Sequence, residues 1–310
     1  MGRGFESLLR HQSFRPTRGV LRPGPWRAVM LLSFLSRLPL PMLYVLCGAA
    51  AWGLRVVRWR RRFVDDGLAL CLPDREVGER KRVARDFYAW VGRLIAETLH
   101  EPRMSTDDLE QRLRFEDDQV VRQALAEGRK VILVAAHHCN WEWLLLEVSR
   151  RFGERLVVPY KPISLASADR WMRRVRSRFG AVMVPAKEVG PYLVKHRRQS
   201  RLIAMLADQS PSAKSEHQVW LPFFGRDTSF FQGPGWIGAR LGFEPVFIAM
   251  RADGPGRYVA RFVRLFEPRA KLTGEQVLQA YARLLEQQLR EHPAPYFWAY
   301  NRWKRPRPAP

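Results

Sequence analysis

Short uninterrupted runs of apolar and β-branched residues recur along the chain, separated by segments whose apolar residues have helical spacing. Uninterrupted runs are typical of strands buried on both faces of a sheet, whereas amphipathic helices repeat their apolar positions about every three to four residues. The alternation of these two patterns predicts an α/β fold, in which helices flank a central sheet. The predicted strands are 131–136, 156–160, 181–185, 202–207, 246–250 and 258–266.

The amphipathic segments predict the helices. The clearest one extends from about Glu76 to Leu99, where apolar residues form one face at helical spacing. A shorter helix is predicted over Glu116–Glu127 and ends at Gly128, directly before the first of the buried strands. Two further helices are predicted over Gly233–Leu241 and Glu275–Glu291.

An apolar stretch near the amino terminus predicts a membrane helix. Arg37 interrupts it, and the 17 residues of 38–54 that follow are uncharged. That length is at the lower limit for a spanning helix, which usually needs about 20 residues. A cluster of arginines at 55, 58, 60, 61 and 62 comes next, as expected at a lipid–water boundary. A cleaved signal peptide and a buried core helix are the alternatives. The predicted division is a basic, membrane-anchoring segment over 1–62 and one domain over 63–310.

Charge narrows the choice of partners. The chain has 53 Lys and Arg against 30 Asp and Glu, a net charge of +23. Such a charge favours acidic partners, namely nucleic acid, anionic lipid or an acidic carrier protein. The three cysteines are scattered and have no metal-ligand spacing, which indicates a reducing compartment and no disulfide framework.

The most informative stretch is K-V-I-L-V-A-A-H-H-C-N-W-E-W-L-L-L-E, over Lys130–Glu147. It predicts a buried strand that ends in polar residues and turns into a helix, the place where open α/β sheets carry their chemistry. His137 and Glu142 converge only if the histidine lies at the strand end and the glutamate on the first turn of the helix. Asn140 is a suitable N-cap for that helix.

In this geometry a carboxylate holds one imidazole nitrogen and leaves the other free as a general base. A rival pairing joins His138 to Glu142, at the i, i+4 spacing of a helix. A third interpretation makes Cys139 a nucleophile with a neighbouring histidine as its base. A purely structural histidine at a strand end is also compatible with the spacing.

The phrase H-H-C-N-W-E resembles the H-x-x-N-W-E block of the bacterial lipid A late acyltransferases, the lauroyl and myristoyl transferases. These are similar in turn to the glycerolipid acyltransferases with their H-x-x-x-x-D/E motif. His138 and Cys139 depart from the pattern, because many members have an aromatic or small residue and a glycine there. Further resembling blocks are C-L-P-D at 71–74, Y-K-P at 160–162 with its arginine-rich helix, A-D-Q-S-P at 207–211, F-F-G…G-P at 223–234 and the closing W-x-x-x-R-x-K at 298–304.

The resemblance implies a mixed central sheet of the glycerolipid acyltransferase type and an acyltransferase domain over 63–310. It implies that His137 is the general base and Glu142 its partner. No cofactor is expected, and no metal either, because His137 and Glu142 lack a third ligand at recognisable spacing. The resemblance further implies acyl carrier protein as donor and a lipid A precursor or related anionic glycolipid as acceptor. The predicted substrate-binding residues are Arg174, Arg176, Asp208, Gln209 and Arg302.

The same resemblance implies a bacterial inner-membrane protein, and the denser arginine cluster after residue 54 favours a cytoplasmic catalytic domain. Four phenylalanines at 223, 224, 230 and 231 lie in a segment predicted to be loop-like. They suit an acyl-chain tunnel or a lipid contact, although ordinary packing explains them equally well. Two alternative functions stay open: acylation of a different lipid, and a basic membrane protein that binds nucleic acid, although no nucleic-acid motif is present.

Overall fold

The computed structural model describes residues 30, 32–153, 156–198, 201–211, 217–304 and 306–307. Its strands in chain order are β1 (Leu113–Asp117), β2 (Lys130–Ala135), β3 (Leu156–Tyr160), β4 (Val182–Pro185), β5 (Leu202–Leu206), β6 (Gln218–Phe223), β7 (Arg226–Phe231), β8 (Phe243–Ala252) and β9 (Tyr258–Arg264). Seven of them form one sheet of order β1-β9-β8-β2-β5-β3-β4, and β6 and β7 form a separate hairpin.

The large sheet is mostly parallel. Strands β8, β2, β5, β3 and β4 run in the same direction, β9 is antiparallel to β8, and β1 runs parallel to β9. Strand β2 lies in the middle and is buried on both faces, which explains its uninterrupted apolar sequence. The predicted mixed α/β sheet flanked by helices is therefore confirmed.

The helices are α1 (Leu40–Val56), α2 (Arg61–Cys71), α3 (Val77–His100), α4 (Thr106–Arg112), α5 (Gln119–Ala126), α6 (Trp141–Phe152), α7 (Ala166–Arg176), α8 (Val189–Lys195), α9 (Gly233–Leu241) and α10 (Gly274–Glu291). Alternate residues of β2 face opposite helical layers. Val131 and Leu133 pack in a cluster with residues of α4, α5 and α6, whereas Ile132 packs with α8 and α9. The core thus lies on both sides of the strand that leads to His137.

Helix α1 packs closely against α3. A Cβ atom added at Gly92 would lie 2.8 Å from the carbonyl oxygen of Cys47, so only glycine permits this approach. The opposite face of α1 exposes large apolar side chains, among them Met42, Val45 and Trp52. Within the described ranges, no helix alone has the length and apolarity to cross a membrane. Helices α1 and α2 meet those criteria only as a pair, with a bend of 85° between them.

Two predicted elements differ from the structure. Residues 116 and 117 belong to strand β1, and the helix starts only at Gln119. The phenylalanine-rich segment is the β6–β7 hairpin and not a loop, because Phe224 and Gly225 both have positive φ and form its two-residue turn. Phe223 and Phe230 are buried in the core, so they line no lipid-facing surface.

Candidate active site

The site lies where two neighbouring parallel strands end. Strand β2 pairs with β5 in register, and the backbone N–H of Ala207 donates to the carbonyl of Ala135 at 3.0 Å. His137 and Asp208 follow these two strands and meet. The Nδ1 atom of His137 is 2.8 Å from Oδ1 of Asp208, and the His137 backbone N–H donates to the same oxygen at 3.1 Å.

Asp208 is a buried anion. Burial raises the pKa of its carboxyl, but the His137 imidazole and the hydrogen bonds from His137 outweigh that effect, and the net pKa is below its usual value. A charged carboxylate only accepts hydrogen bonds, so the contact with Asp208 places the donor at Nδ1 of His137. The imidazole is 22% exposed, and its Nε2 faces the side-chain amide of Gln209 at 3.5 Å. One ring nitrogen of His137 thus contacts a buried carboxylate, while the ring itself stays partly exposed.

Glu142 has a different partner from the one predicted. Its carboxylate accepts two hydrogen bonds from Arg176, at 2.8 and 2.5 Å, and one from the indole N–H of Trp141 at 3.1 Å. No hydrogen bond or ion pair between His137 and Glu142 occurs in the described part of the chain. The expected contact with the imidazole belongs to Asp208, because β5 brings that carboxylate to the strand end while the bidentate Arg176 draws Glu142 toward α7. The Trp141 ring lies 5.0 Å from the His137 ring.

The predicted cap of α6 is confirmed. Oδ1 of Asn140 accepts the backbone N–H of Trp143 at 2.9 Å, and its Nδ2 donates to Glu97 at 2.7 Å. Glu97 also accepts the hydroxyls of Tyr44 at 3.0 Å and Tyr258 at 2.7 Å. Burial raises the pKa of Glu97, and the three donors offset part of this effect. This hub was not predicted, because Glu97 resembles any polar residue of an amphipathic helix.

His138 is buried and does not form the rival pair with Glu142. Its Nε2 donates to the carbonyl of His292 at 2.7 Å, and its Nδ1 has no hydrogen-bond partner among the described residues. Burial, the largest effect, lowers the pKa of His138 to about 4. The side chain therefore stays neutral and acts as a structural imidazole.

This burial predicts a pH dependence of stability. The unfolded chain binds a proton at His138 near pH 6.5, whereas the folded protein binds it only near pH 4. The unfolded state holds more protons between these values, so stability decreases as the pH falls through this window. The difference corresponds to about 3 kcal/mol. Unfolding free energies of the wild type and His138→Gln, measured from pH 7 to 4, should differ in slope. Equal slopes would contradict the assignment. The control is His196→Gln, which replaces a half-buried histidine.

Cys139 does not have the properties of a nucleophile. Its thiol is fully buried, 3.6 Å from the carbonyl of Met250, and burial raises the pKa of the thiol well above its ordinary value. Its backbone φ is +52°, in the left-handed region that favours glycine. Glycine would adopt this conformation with less strain than cysteine.

The structure separates the predicted substrate-binding residues. Asp208, Gln209 and Arg176 lie at the site through the contacts above. Arg302 is 4% exposed, donates to the carbonyl of Ser229 at 2.7 Å and lies over the Phe230 ring, so a substrate does not reach it. Burial lowers the pKa of Arg302, and Asp208 is among the groups that raise it. Arg302 is therefore a buried residue and not part of the surface that a substrate contacts.

Comparison with known proteins identifies the family of the chain. A family model described as bacterial lipid A biosynthesis acyltransferase matches residues 11–305. A lipid A biosynthesis lauroyltransferase of Escherichia coli (strain K12) is 23% identical over 287 residues, which cover 90% of this chain and 90% of that relative. The histidine block and the later blocks that resemble this family all lie inside the matched region. The chain therefore belongs to the bacterial lipid A biosynthesis acyltransferases.

Proposed function

We propose that this protein transfers a fatty acyl group from acyl carrier protein to a hydroxyl of a lipid A precursor or a related anionic glycolipid. The family supports an acyltransferase with a lipid A-like acceptor. The observation that carries the mechanism is the contact of His137 with the buried carboxylate of Asp208, which leaves Nε2 accessible.

In the proposed reaction, Nε2 of His137 removes the proton of the acceptor hydroxyl as its oxygen attacks the thioester carbonyl carbon. A carbon–oxygen bond forms, and the resulting imidazolium is stabilised by Asp208. The tetrahedral intermediate then collapses with cleavage of the carbon–sulfur bond, and the departing thiolate takes the proton from His137. Gln209 faces Nε2 in the free enzyme and gives way to the acceptor hydroxyl.

Glu142 keeps a role in this proposal through Arg176. The ion pair uses Nε and Nη2 of the guanidinium, and in the proposed reaction Nη1 donates to an oxygen of the acceptor. Burial lowers the pKa of Arg176, but Glu142 outweighs this effect and the net pKa is raised. Glu142 thereby holds a charged Arg176 beside Trp141 and the base.

The donor assignment rests on charge. Acyl carrier protein is acidic, and this chain has a net charge of +23. Complementary charge accelerates the encounter of two proteins and orients them before contact. This argument favours a protein-bound thioester over a small neutral donor.

We infer further that the protein is bound to the bacterial inner membrane, with the active site on the cytoplasmic side. Helix α1 exposes Val45 and Trp52 on the face opposite α3. The arginines at 55, 58, 60, 61 and 62 follow directly, a distribution typical of helices at an anionic lipid surface.

The membrane proposal predicts vesicle binding. The full chain should float with vesicles of phosphatidylethanolamine and phosphatidylglycerol, because α1 buries its exposed apolar face in lipid. The double variant Val45→Glu/Trp52→Glu should lose much of the bound fraction. Val194→Glu, which changes an exposed valine on α8, is the matched control. Equal flotation of both variants would contradict a role of α1.

The enzymatic proposal is tested by a transfer assay. The purified full chain in detergent is incubated with a lipid A precursor and either acyl carrier protein or coenzyme A carrying the same fatty acid. Mass spectrometry of the lipid should show one added acyl chain, formed faster with the carrier protein. Acylation of another membrane lipid but not of the precursor would establish the alternative acceptor. No acylation of any lipid would overturn the proposal.

A further inference from the structure

A cavity of about 720 Å³ lies beside α7, on a different side from the Glu142–Arg176 pair. It is open to solvent and is lined by residues 33–37 before α1, by the turn of 3₁₀-helix after α3 (Glu101–Arg103) and by helix α7. Its volume is in the range of pockets that bind small molecules. The lining includes Arg37, Pro102, Arg103, Trp171, Arg174 and Arg178.

The charge of this cavity is of one sign. Four of its lining residues are arginines, and no acidic side chain lines it. None of these four guanidinium groups forms an ion pair with a carboxylate in the part of the chain that the structure describes. Unpaired arginines around one volume form a site for an anion, because each planar guanidinium presents several donors to oxygen atoms.

Backbone carbonyls hold two of the arginines in place. Arg178 donates to the carbonyl of Glu101 at 2.6 Å and to that of Met104, and Arg103 donates to the carbonyl of Arg37. Burial lowers the pKa of Arg178, and the neighbouring Glu101 offsets part of that effect. These guanidinium groups are therefore oriented before a ligand arrives, which lowers the entropy lost on binding.

Helix α7 connects this cavity to the active site. Trp171, Arg174 and Val175 recur at helical spacing and line the cavity. Arg176 is about 200° around the helix from Arg174, toward α6. One helix thus presents Arg176 to Glu142 and Arg174 to the cavity.

The ligand chemistry follows from the lining and its location. Several guanidinium groups match a phosphate, whose oxygens accept bidentate hydrogen bonds. Trp171 and Pro102 add apolar surface of the kind that covers a sugar ring. Ser33, Ser36 and Arg37, which line one side, directly precede α1 in the chain, and α1 carries the exposed apolar side chains that we assign to lipid above.

We propose that this four-arginine cavity binds a phosphate group of a phosphorylated substrate and so positions it relative to His137. The proposal rests on the acyltransferase function proposed above. The phosphate belongs either to the sugar headgroup of the acceptor or to the phosphopantetheine arm of the donor. The location beside α1 favours the acceptor.

Binding of α-D-glucosamine 1-phosphate to the full chain in nonionic detergent tests the cavity by calorimetry, with glucosamine as the unphosphorylated comparison. The phosphate ester should bind more tightly, and Arg174→Glu should weaken its binding about tenfold or more. Arg174 is exposed, so this replacement leaves the core intact. Arg103→Ala is a second variant. Arg283→Glu, an exposed position of α10, makes the same change of charge and should have no effect. Equal binding of ester and sugar, or equal loss in Arg283→Glu, would overturn the proposal.

Kinetics of the same variants distinguish the source of the phosphate. A raised KM for the acceptor in Arg174→Glu assigns it to the acceptor, and a raised KM for the acyl donor assigns it to the carrier arm. If Arg174→Glu transfers the acyl group with both KM values and phosphate binding unchanged, the proposed role of the cavity is refuted, but the acyltransferase proposal is not. If Arg174→Glu loses phosphate binding but the wild type acylates no lipid, the anion site is supported and the acyltransferase proposal is refuted.

Discussion

Replacing His137 by alanine should lower kcat for acyl transfer by about 10²–10⁴-fold, because this variant lacks the general base that we propose. The fold should survive, since the side chain is partly exposed and its main contact is to one oxygen of Asp208. Single-turnover transfer from the acyl donor, together with thermal unfolding, separates chemistry from stability.

His138→Ala and Cys139→Ala are the companion variants. Both side chains are buried, so we expect them to lose stability and keep the chemical step. An active His137→Ala protein beside inactive, folded His138→Ala or Cys139→Ala would refute the assignment of the base.

Replacing Asp208 by asparagine should reduce kcat almost as much as removing His137. Asparagine keeps the shape but removes the negative charge that stabilises the imidazolium, and it can turn its amide N–H toward Nδ1 and favour the wrong tautomer. The change should also alter the pH profile of kcat, which loss of packing alone would not do. The double variant His137→Ala/Asp208→Asn should be little worse than His137→Ala, because the two act as a unit.

The variant Glu142→Gln tests whether Glu142 or Asp208 is the functional partner of His137. Among the described residues, Glu142 is hydrogen-bonded to Arg176 and Trp141, so its effect should be non-additive with Arg176→Ala and close to additive with Asp208→Asn. If Glu142→Gln instead couples to His137→Ala and Asp208→Asn leaves the pH profile unchanged, the original pairing of His137 with Glu142 is correct for the working enzyme.

Local sequence predicted much of the fold. The strand before His137, the cap at Asn140 and the helix that follows are within a short segment and depend on apolar runs and side-chain capping. The hairpin β6–β7 was missed because its turn is Phe-Gly, whereas the common signal is Asn-Gly or Asp-Gly.

Contacts between distant segments could not be predicted in this way. The carboxylate that meets His137 comes from a residue 71 positions further along the chain, and only the pairing of β2 with β5 brings it there. Spacing also left His137 and His138 nearly equivalent. Burial separates them, since one imidazole faces the site and the other is fixed under the His292 carbonyl.

Helix α1 limits which sequences can replace it, whether by engineering or in evolution. One face exposes apolar side chains, while the other supplies Cys47 opposite Gly92 and the Tyr44 hydroxyl to Glu97. A foreign helix grafted in its place would need a flat surface and a hydroxyl donor at those two points. Cutting the chain at residue 62 would expose an apolar face of α3 and remove one donor from a buried carboxylate. Helix α1 and the rest of the fold are therefore not interchangeable modules and change together.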